Sequence, residues 1–235
     1  MVWDSMRIQD LYRRVIIDLG LDLDLEWDAS EIACLVAKSI DVRDPSEVLG
    51  EISRYIVNRR VYVIGAGPGA LSRGVKDYEH SIIICADGAC VLVREHGLPA
   101  ISVTDLDGGI EPAEIVYKHG GYIVLQFHGD NYRYLASLID VLKRWRDRLV
   151  IGVQIAPPCS HVTEIPGFTD GDRAYLLAIS MGASEIISIG MDLDSELTTS
   201  LSKSTYSGIA FAPINKIRKL RWARRIIEDL YHMYL

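Results

Sequence analysis

SIIICAD (81–87), ISVTDLD (101–107), YIVLQFHGD (122–130) and EIISIGMD (185–192) repeat one pattern: an apolar, β-rich run that ends on an aspartate. Short, nearly continuous apolar runs suit strands buried on both faces. VYVIG (61–65) and LVIGVQI (149–155) are further runs of this kind. Helical stretches lie between most of them, at 68–76, 88–96, 112–119, 131–146 and 170–181. Alternating β and α segments predict an α/β fold: a doubly wound, mostly parallel sheet with flanking helices. Ligands of such sheets bind beyond the carboxyl ends of the strands. The aspartates therefore gather at one edge of the sheet.

Two carboxylates about 4 Å apart repel by roughly 4 kcal/mol at an effective dielectric near 20. A cluster of them calls for a cation. Mg²⁺ fits best, because it favours carboxylates together with substrate phosphates. Thr104-Asp105-Leu106-Asp107-Gly108-Gly109 is the sharpest motif. In extended chain, residues two apart face the same way, so Asp105 and Asp107 are expected to address one metal. A solvated loop with a helix cap is the plainer reading. Asp130, in His128-Gly129-Asp130-Asn131, is a further candidate ligand or a cap for the helix that follows. His128 is either structural or a ligand contact.

Gly65-Ala66-Gly67-Pro68-Gly69-Ala70 follows the first strand and fits GxGxxG/A, with Asp87 about twenty residues on. It reads as a dinucleotide site, as another nucleotide site, or as a tight turn. Gly167-Phe168-Thr169-Asp170-Gly171-Asp172-Arg173 combines a capping-box pattern of Thr169 and Asp172 with more acid than a cap needs. Arg173 is suited to a bidentate phosphate contact. Lys216 and Lys219, one turn apart on the last helix, either face solvent or close over a triphosphate.

Outward from these motifs, residues 1–58 read as a helical appendage. Met6 to Leu19 carries helical spacing, Asp28 or Ser30 is placed to cap a second helix, and Pro45 suits the first turn of a third. Residues 59–235 form the nucleotide- and metal-binding region, closed by a helix over 213–234. The stretches 156–168 and 193–213 each read as a loop or hairpin, the second rich in Ser, Thr and Gly and suited to a mobile flap.

The chain has 235 residues, 49% of them hydrophobic, and a net charge of −7. That balance argues against general nucleic-acid binding. With no long apolar run and no basic-then-apolar leader, no membrane span is expected and the location is read as cytoplasmic. Cys34, Cys85, Cys90 and Cys159 form no CxxC pair and are expected as buried, reduced thiols. Three glutamines, three asparagines and an excess of Arg over Lys hint at a heat-adapted source. A homodimer is the default assembly for such an enzyme.

GAGPGAL (65–71), ADGA (86–89), TDLDG (104–108), HGDN (128–131), GFTDGDRA (167–174) and GMD (190–192), in this order after a helical start, resemble the archaeal 6-hydroxymethyl-7,8-dihydropterin pyrophosphokinases, an MptE-like family related to the thiamin pyrophosphokinase fold. The resemblance runs from Trp3-Asp4 to Lys219-Leu220 and Ala223. Gly69-Ala70, Gly152-Val153-Gln154 and Glu164-Ile165-Pro166 depart from the family pattern. The resemblance implies Mg²⁺-dependent transfer of pyrophosphate from ATP to the hydroxymethyl group of the pterin, with release of AMP, on the way to folate or methanopterin-type cofactors. It implies Asp105, Asp107 and Asp130 at the metal. Gly65, Gly67, Pro68, Gly69, Asp87, Lys216 and Lys219 would be toward ATP, with Arg173 at its phosphates. His128, Asn131, Thr169, Asp170 and Asp172 would be toward the substrate, with Asp170 and Asp172 at either the metal or the pterin's amino and ring N–H groups. Other readings are the same chemistry on thiamin, a Rossmann oxidoreductase using NAD(P) or FAD, and a nucleotide-binding module without turnover.

Overall fold

The computed structural model describes residues 4–73, 81–94, 100–203 and 205–231. Trp3, and the expected helix extensions to Lys76, His96 and Tyr234, lie outside the described residues. Three helices come first: α1 (Ser5–Leu19), α2 (Leu23–Ser39) and α3 (Pro45–Ile56). Asp4 caps α1, Asp44 caps α3, and Pro45 opens α3. The second helix starts earlier than Asp28 or Ser30. Asp22 accepts the backbone N–H groups of Asp24 and Leu25, and Asp24 and Glu26 sit in the first turn. An aspartate cap followed by acids that favour the positive helix end outcompetes the later candidates.

The expected runs then form strands: β1 (Arg60–Ile64), β2 (Ile82–Ala86), β3 (Ala100–Thr104), β4 (Tyr122–Phe127) and β5 (Leu149–Val153), with the short β6 (Thr163–Glu164) and then β7 (Glu185–Ile189). Between them lie α4 (Pro68–Arg73), a 3-10 turn (Asp87–Val93), α5 (Glu111–Lys118), α6 (Tyr132–Ser137), α7 (Ile139–Trp145) and α8 (Asp170–Ser180). The strand order is β6-β5-β4-β3-β2-β1-β7, and each neighbouring pair is parallel. Every residue of β2 through β5 is buried, which is why these strands carry no polar alternation.

Burial is two-sided because helices cover both faces. Ile123, Leu125 and Phe127 of β4 pack with Ala33 and Ala37 of α2 and with Leu135, Leu142 and Trp145. Tyr122 and Val124, on the opposite face, pack with Val48 and Ile52 of α3 and with Ala174 and Leu177 of α8. Strands β1 to β5 advance in one direction, and α8 then carries the chain back to β7 beside β1. The β1–β7 boundary is thus a topological switch point, the usual place for a ligand crevice.

The stretch 193–213 contains an antiparallel ribbon, β8 (Leu197–Thr199) paired with β9 (Ile209–Phe211), and leads into α9 (Ile214–Tyr231). Leu176 and Ile179 of α8 join Ile226 and Leu230 of α9 and Ile8, Leu11 and Val15 of α1 in one cluster. Among the described residues no helix is long and apolar enough to cross a membrane.

The cysteines correct the sequence reading. They are paired as disulfides, Cys34 with Cys159 and Cys85 with Cys90, and none is a free thiol. Their Cα atoms lie 6.2 and 5.1 Å apart, within disulfide range. No short spacing announces the first pair, because only the packing of α2 beside β5 brings residues 125 positions apart together.

Candidate active site

The chain leaves β2, β3 and β7 through residues in the left-handed region: Asp87 (φ 44°), Leu106 (φ 61°) and Asp192 (φ 27°). Such conformations cost a non-glycine residue roughly 1–2 kcal/mol and concentrate at functional sites. At β3 this turn decides which carboxylates meet. Leu106 turns its side chain into the core, where it is buried. The period-two rule ends at Thr104, and the two aspartates diverge. Asp105 turns inward toward His128, whereas Asp107 turns outward to an ion pair with Lys203 at 2.8 Å.

Asp105 instead joins Asp87 and Asp170, whose carboxylate oxygens can lie within 4.8 Å of one another. The three come from the end of β2, the end of β3 and the first turn of α8. Of the expected metal set Asp105, Asp107 and Asp130, this group contains Asp105. Asp87 was expected at ATP and Asp170 at either the metal or the substrate, and Asp130 borders the cavity next to His128.

The group is strongly polarised. Burial and the nearby Asp105 push the Asp87 carboxyl up to about 7. Burial, then Asp105 and Asp87, raise Asp170 well above the usual carboxylate range. Burial would raise Asp105 too, but the hydrogen bond and charge of His128, with help from the Asp107 N–H, hold it low. Oδ1 of Asp170 is buried and has no hydrogen-bond partner among the described residues. Asp87 is better supported: it accepts the Thr104 hydroxyl at 2.6 Å and the N–H groups of Gly88 and Gly108. A side chain at Gly108 would collide with the Asp87 carboxylate. Three close carboxylates with one oxygen unpartnered fit a divalent cation by charge and by donor type.

His128 is locked in place. The Asp130 N–H reaches Nδ1 at 3.3 Å and Nε2 faces Asp105 Oδ2 at 3.3 Å, an arrangement that suits the Nε2–H tautomer. Asn131 ties the two turns together by accepting the His128 N–H and donating to the carbonyls of Asp105 and Gln126. Asp172 caps α8: its oxygens accept the N–H groups of Phe168 and Thr169 and the Thr169 hydroxyl at 2.6–2.8 Å. Arg173 is buried, donates through Nη2 to Gln154 and leaves Nε unpartnered among the described residues.

The glycine turn differs from a phosphate cradle. The Gly65 and Gly67 N–H groups donate to the carbonyls of Ile189 and Gly190, and the Gly69 N–H donates to Asp192 Oδ2 at 2.6 Å. A carboxylate of the protein thus takes the place at the start of α4, which Pro68 opens, where a dinucleotide fold seats pyrophosphate. At Gly67 a Cβ would lie 2.5 Å from Asp192 Oδ2 and 2.7 Å from the Gly190 oxygen. The glycine is required by this packing.

Most of these groups border one cavity of about 380 Å³, whereas Pro68, Gly69, Asn131 and Asp172 do not line it. Gly65, Gly67, Asp87, Asp105, Asp107, His128, Asp130, Thr169, Asp170, Arg173, Lys216 and Lys219 line it. Lys216, its ammonium disfavoured by burial, donates to Thr198 and Ser202 of the ribbon segment. Residues that sequence reasoning missed are Lys203 and Tyr206 near the ribbon, Asp192, and Tyr12, Leu21 and Glu26 from the first two helices and the turn between them, whereas Gln154 lies in a segment already marked as a departure from the family pattern. Asp192 carried a signal as the end of a strand run. The helical residues carried none, because their local patterns read as ordinary amphipathic helix.

A family model described as 6-hydroxymethylpterin diphosphokinase MptE-like matches residues 37–196. The chain belongs to this family. It is 32% identical to the 6-hydroxymethyl-7,8-dihydropterin pyrophosphokinase of Pyrococcus furiosus, over 98% of this chain and 94% of that protein. Proteins of the same name from Methanocaldococcus jannaschii and Methanothermobacter thermautotrophicus are 30% and 33% identical, over 97% and 93% of this chain and 95% and 91% of theirs. The match to the family model contains the ends of β1 to β4, the start of α8 and Asp192. The similarity to the first two relatives extends on both sides of it to the lysines of α9 and the helices that supply Tyr12 and Glu26.

Proposed function

We propose that the protein transfers pyrophosphate from ATP to the hydroxymethyl group of 6-hydroxymethyl-7,8-dihydropterin, with Mg²⁺, and releases AMP. One observation carries the reading beyond the relatives' names: the Asp87–Asp105–Asp170 group borders a cavity that also holds Lys203, Lys216, Lys219 and Arg173. Carboxylates beside cations are the arrangement a metal-bound polyphosphate needs.

In the reaction the acceptor oxygen bonds to the β-phosphorus as the bond to the α-phosphate oxygen breaks. AMP leaves with the electron pair, and the hydroxyl proton passes to water. Asp87, Asp105 and Asp170 would hold Mg²⁺, with Asp107 and Asp130 at the margins of that site. A bound cation supplies charge neutralisation on the phosphates. Lys216, Lys219 and Arg173 face the phosphates, with Lys203 released from Asp107 to join them. Gly65, Gly67, Pro68 and Gly69 shape the wall beneath the nucleotide. His128 positions Asp105 and Asn131 holds His128. Thr169 and Asp172 hold Asp170 and Arg173 in register. Residues 1–58 serve as the helical region and 59–235 as the catalytic region.

The test is AMP release with ATP, Mg²⁺ and the pterin, with thiamin in parallel. AMP formed with the pterin and dependent on Mg²⁺ is expected, and Asp105→Asn should slow it by roughly 10²–10³-fold. AMP with thiamin alone would reassign the acceptor, and no AMP with either would overturn the reading.

A further inference from the structure

We propose that Glu26 is the specificity-determining residue for the acceptor, its carboxylate accepting hydrogen bonds from the 2-amino and ring N–H edge of the pterin. The inference rests on the pyrophosphokinase reading above and adds a contact from the helical region to it.

Glu26 lies in the first turn of α2, is 6% exposed and borders the cavity. One oxygen is engaged: the Gly129 N–H donates to the carboxylate, and a Cβ on Gly129 would stand 3.2 Å from Oε1. The other oxygen, Oε2, is buried and makes no hydrogen bond of good geometry, with the Tyr12 hydroxyl as the donor that lies against the same carboxylate. Buried carboxylate oxygens almost always have donors, and this one borders a ligand cavity.

Its place along the sheet edge sets it at the β4 end, apart from Lys216 and the ribbon, while Arg173 faces it. Gly129 follows β4, whereas Thr199 binds the Ala66 carbonyl after β1 and Lys216 binds Thr198 on the same ribbon. In the order β4-β3-β2-β1 the carboxylates of Asp105 and Asp87 therefore stand between Glu26 and the ribbon. Transferred phosphate belongs at that middle position, so the acceptor belongs on the Glu26 side. The surroundings suit a flat heterocycle: Tyr12, Leu21 and Phe168 border the same cavity, and the two rings lie 6.0 Å apart between centroids. The charged groups that face Glu26 are His128, Arg173 and Asp130. An anionic ligand at Glu26 would be repelled, whereas an uncharged amino–amide edge supplies the missing donors. Asp172 is fully buried in the cap of α8 and does not border the cavity.

The experiment compares 6-hydroxymethyl-7,8-dihydropterin with its 2-oxo analogue, which replaces the amino donor by an acceptor, in wild type, Glu26→Gln and Glu26→Ala. The wild type should prefer the 2-amino compound by roughly a hundred-fold in kcat/KM. Both variants should reduce that preference to within about three-fold. They should also raise KM for the pterin roughly ten- to hundred-fold while leaving KM for ATP within about two-fold. Thermal melting shows that the variants are folded, and equilibrium binding of the pterin without ATP repeats the comparison where turnover is too slow. A preference kept by both variants, or a rise in KM for ATP in place of the pterin, would overturn the inference alone. A wild type inactive on the pterin would overturn the functional reading together with it.

Discussion

Asp170 is the residue that best shows a site built against its own stability. It is half-buried, its buried Oδ1 lacks a donor, and Asp105 and Asp87 stand beside it. Most substitutions of buried groups destabilise, by about 1 kcal/mol on average. Asp170→Asn removes a like charge and keeps the shape. The metal-free variant should therefore melt at or above the wild-type temperature, while Mg²⁺ no longer raises it. A loss of more than about 1 kcal/mol in the metal-free variant would mean that the carboxylate has a structural partner. The aspartates at the strand ends were legible from the sequence, because a charged residue closing an apolar run is an obvious anomaly. Their grouping was not. It depends on the left-handed turn at Leu106, which sends Asp105 and Asp107 apart, and on α8 delivering Asp170 from 65 positions beyond Asp105.

The elements follow the sequence where apolar runs are long and fail to where they are not. Strands β1 to β5 were readable because helices on both faces demand apolar runs, and the edge strand β7, only partly buried, was readable from its isoleucine-rich run. β6, β8 and β9 have two or three residues each and depend on pairing, which local pattern does not encode. The same limit hid the link between α2 and the segment after β5, where Cys34 and Cys159 meet across 125 positions. A cross-link over a loop of that length typically stabilises by about 2–4 kcal/mol. Cys34→Ser should lower the melting temperature by roughly 4–16 °C for a chain of this size, and reductant should lower the wild type at least as far, because it opens Cys85–Cys90 as well. Four titratable thiols in the unreduced, unfolded wild type would refute the pairing. Since Glu26 is in the first turn of α2, the same cross-link helps hold that helix against the site.

At the scale of the whole molecule, the first three helices complete the sheet's two faces and, through Tyr12, Leu21 and Glu26, one end of the cavity. That arrangement was the least legible part of the chain, because an amphipathic helix announces what it buries and not which face it covers. It also makes the acidic group a property of the assembled fold, since strand ends and α8 must all be in place for the carboxylates to meet. The consequence is a linkage between pH, cation and stability. Asp87 has its carboxyl raised from 3.8 to about 7 in the folded state, with Asp170 displaced in the same direction. The folded chain then binds more protons than the unfolded chain between those values, so these groups make metal-free stability fall as pH rises through that window. Mg²⁺ competes with protons for the same oxygens. At 100 times its dissociation constant a ligand stabilises by about 2.7 kcal/mol, or roughly 5–11 °C in a chain of this length. The gain from a fixed Mg²⁺ concentration should therefore approach that size near pH 8 and shrink to near zero at pH 5, returning to baseline with EDTA. A gain that is equal at both pH values would place the cation away from Asp87, Asp105 and Asp170. Asp105→Asn, which lacks one of the three ligands, should show almost none of it at either pH.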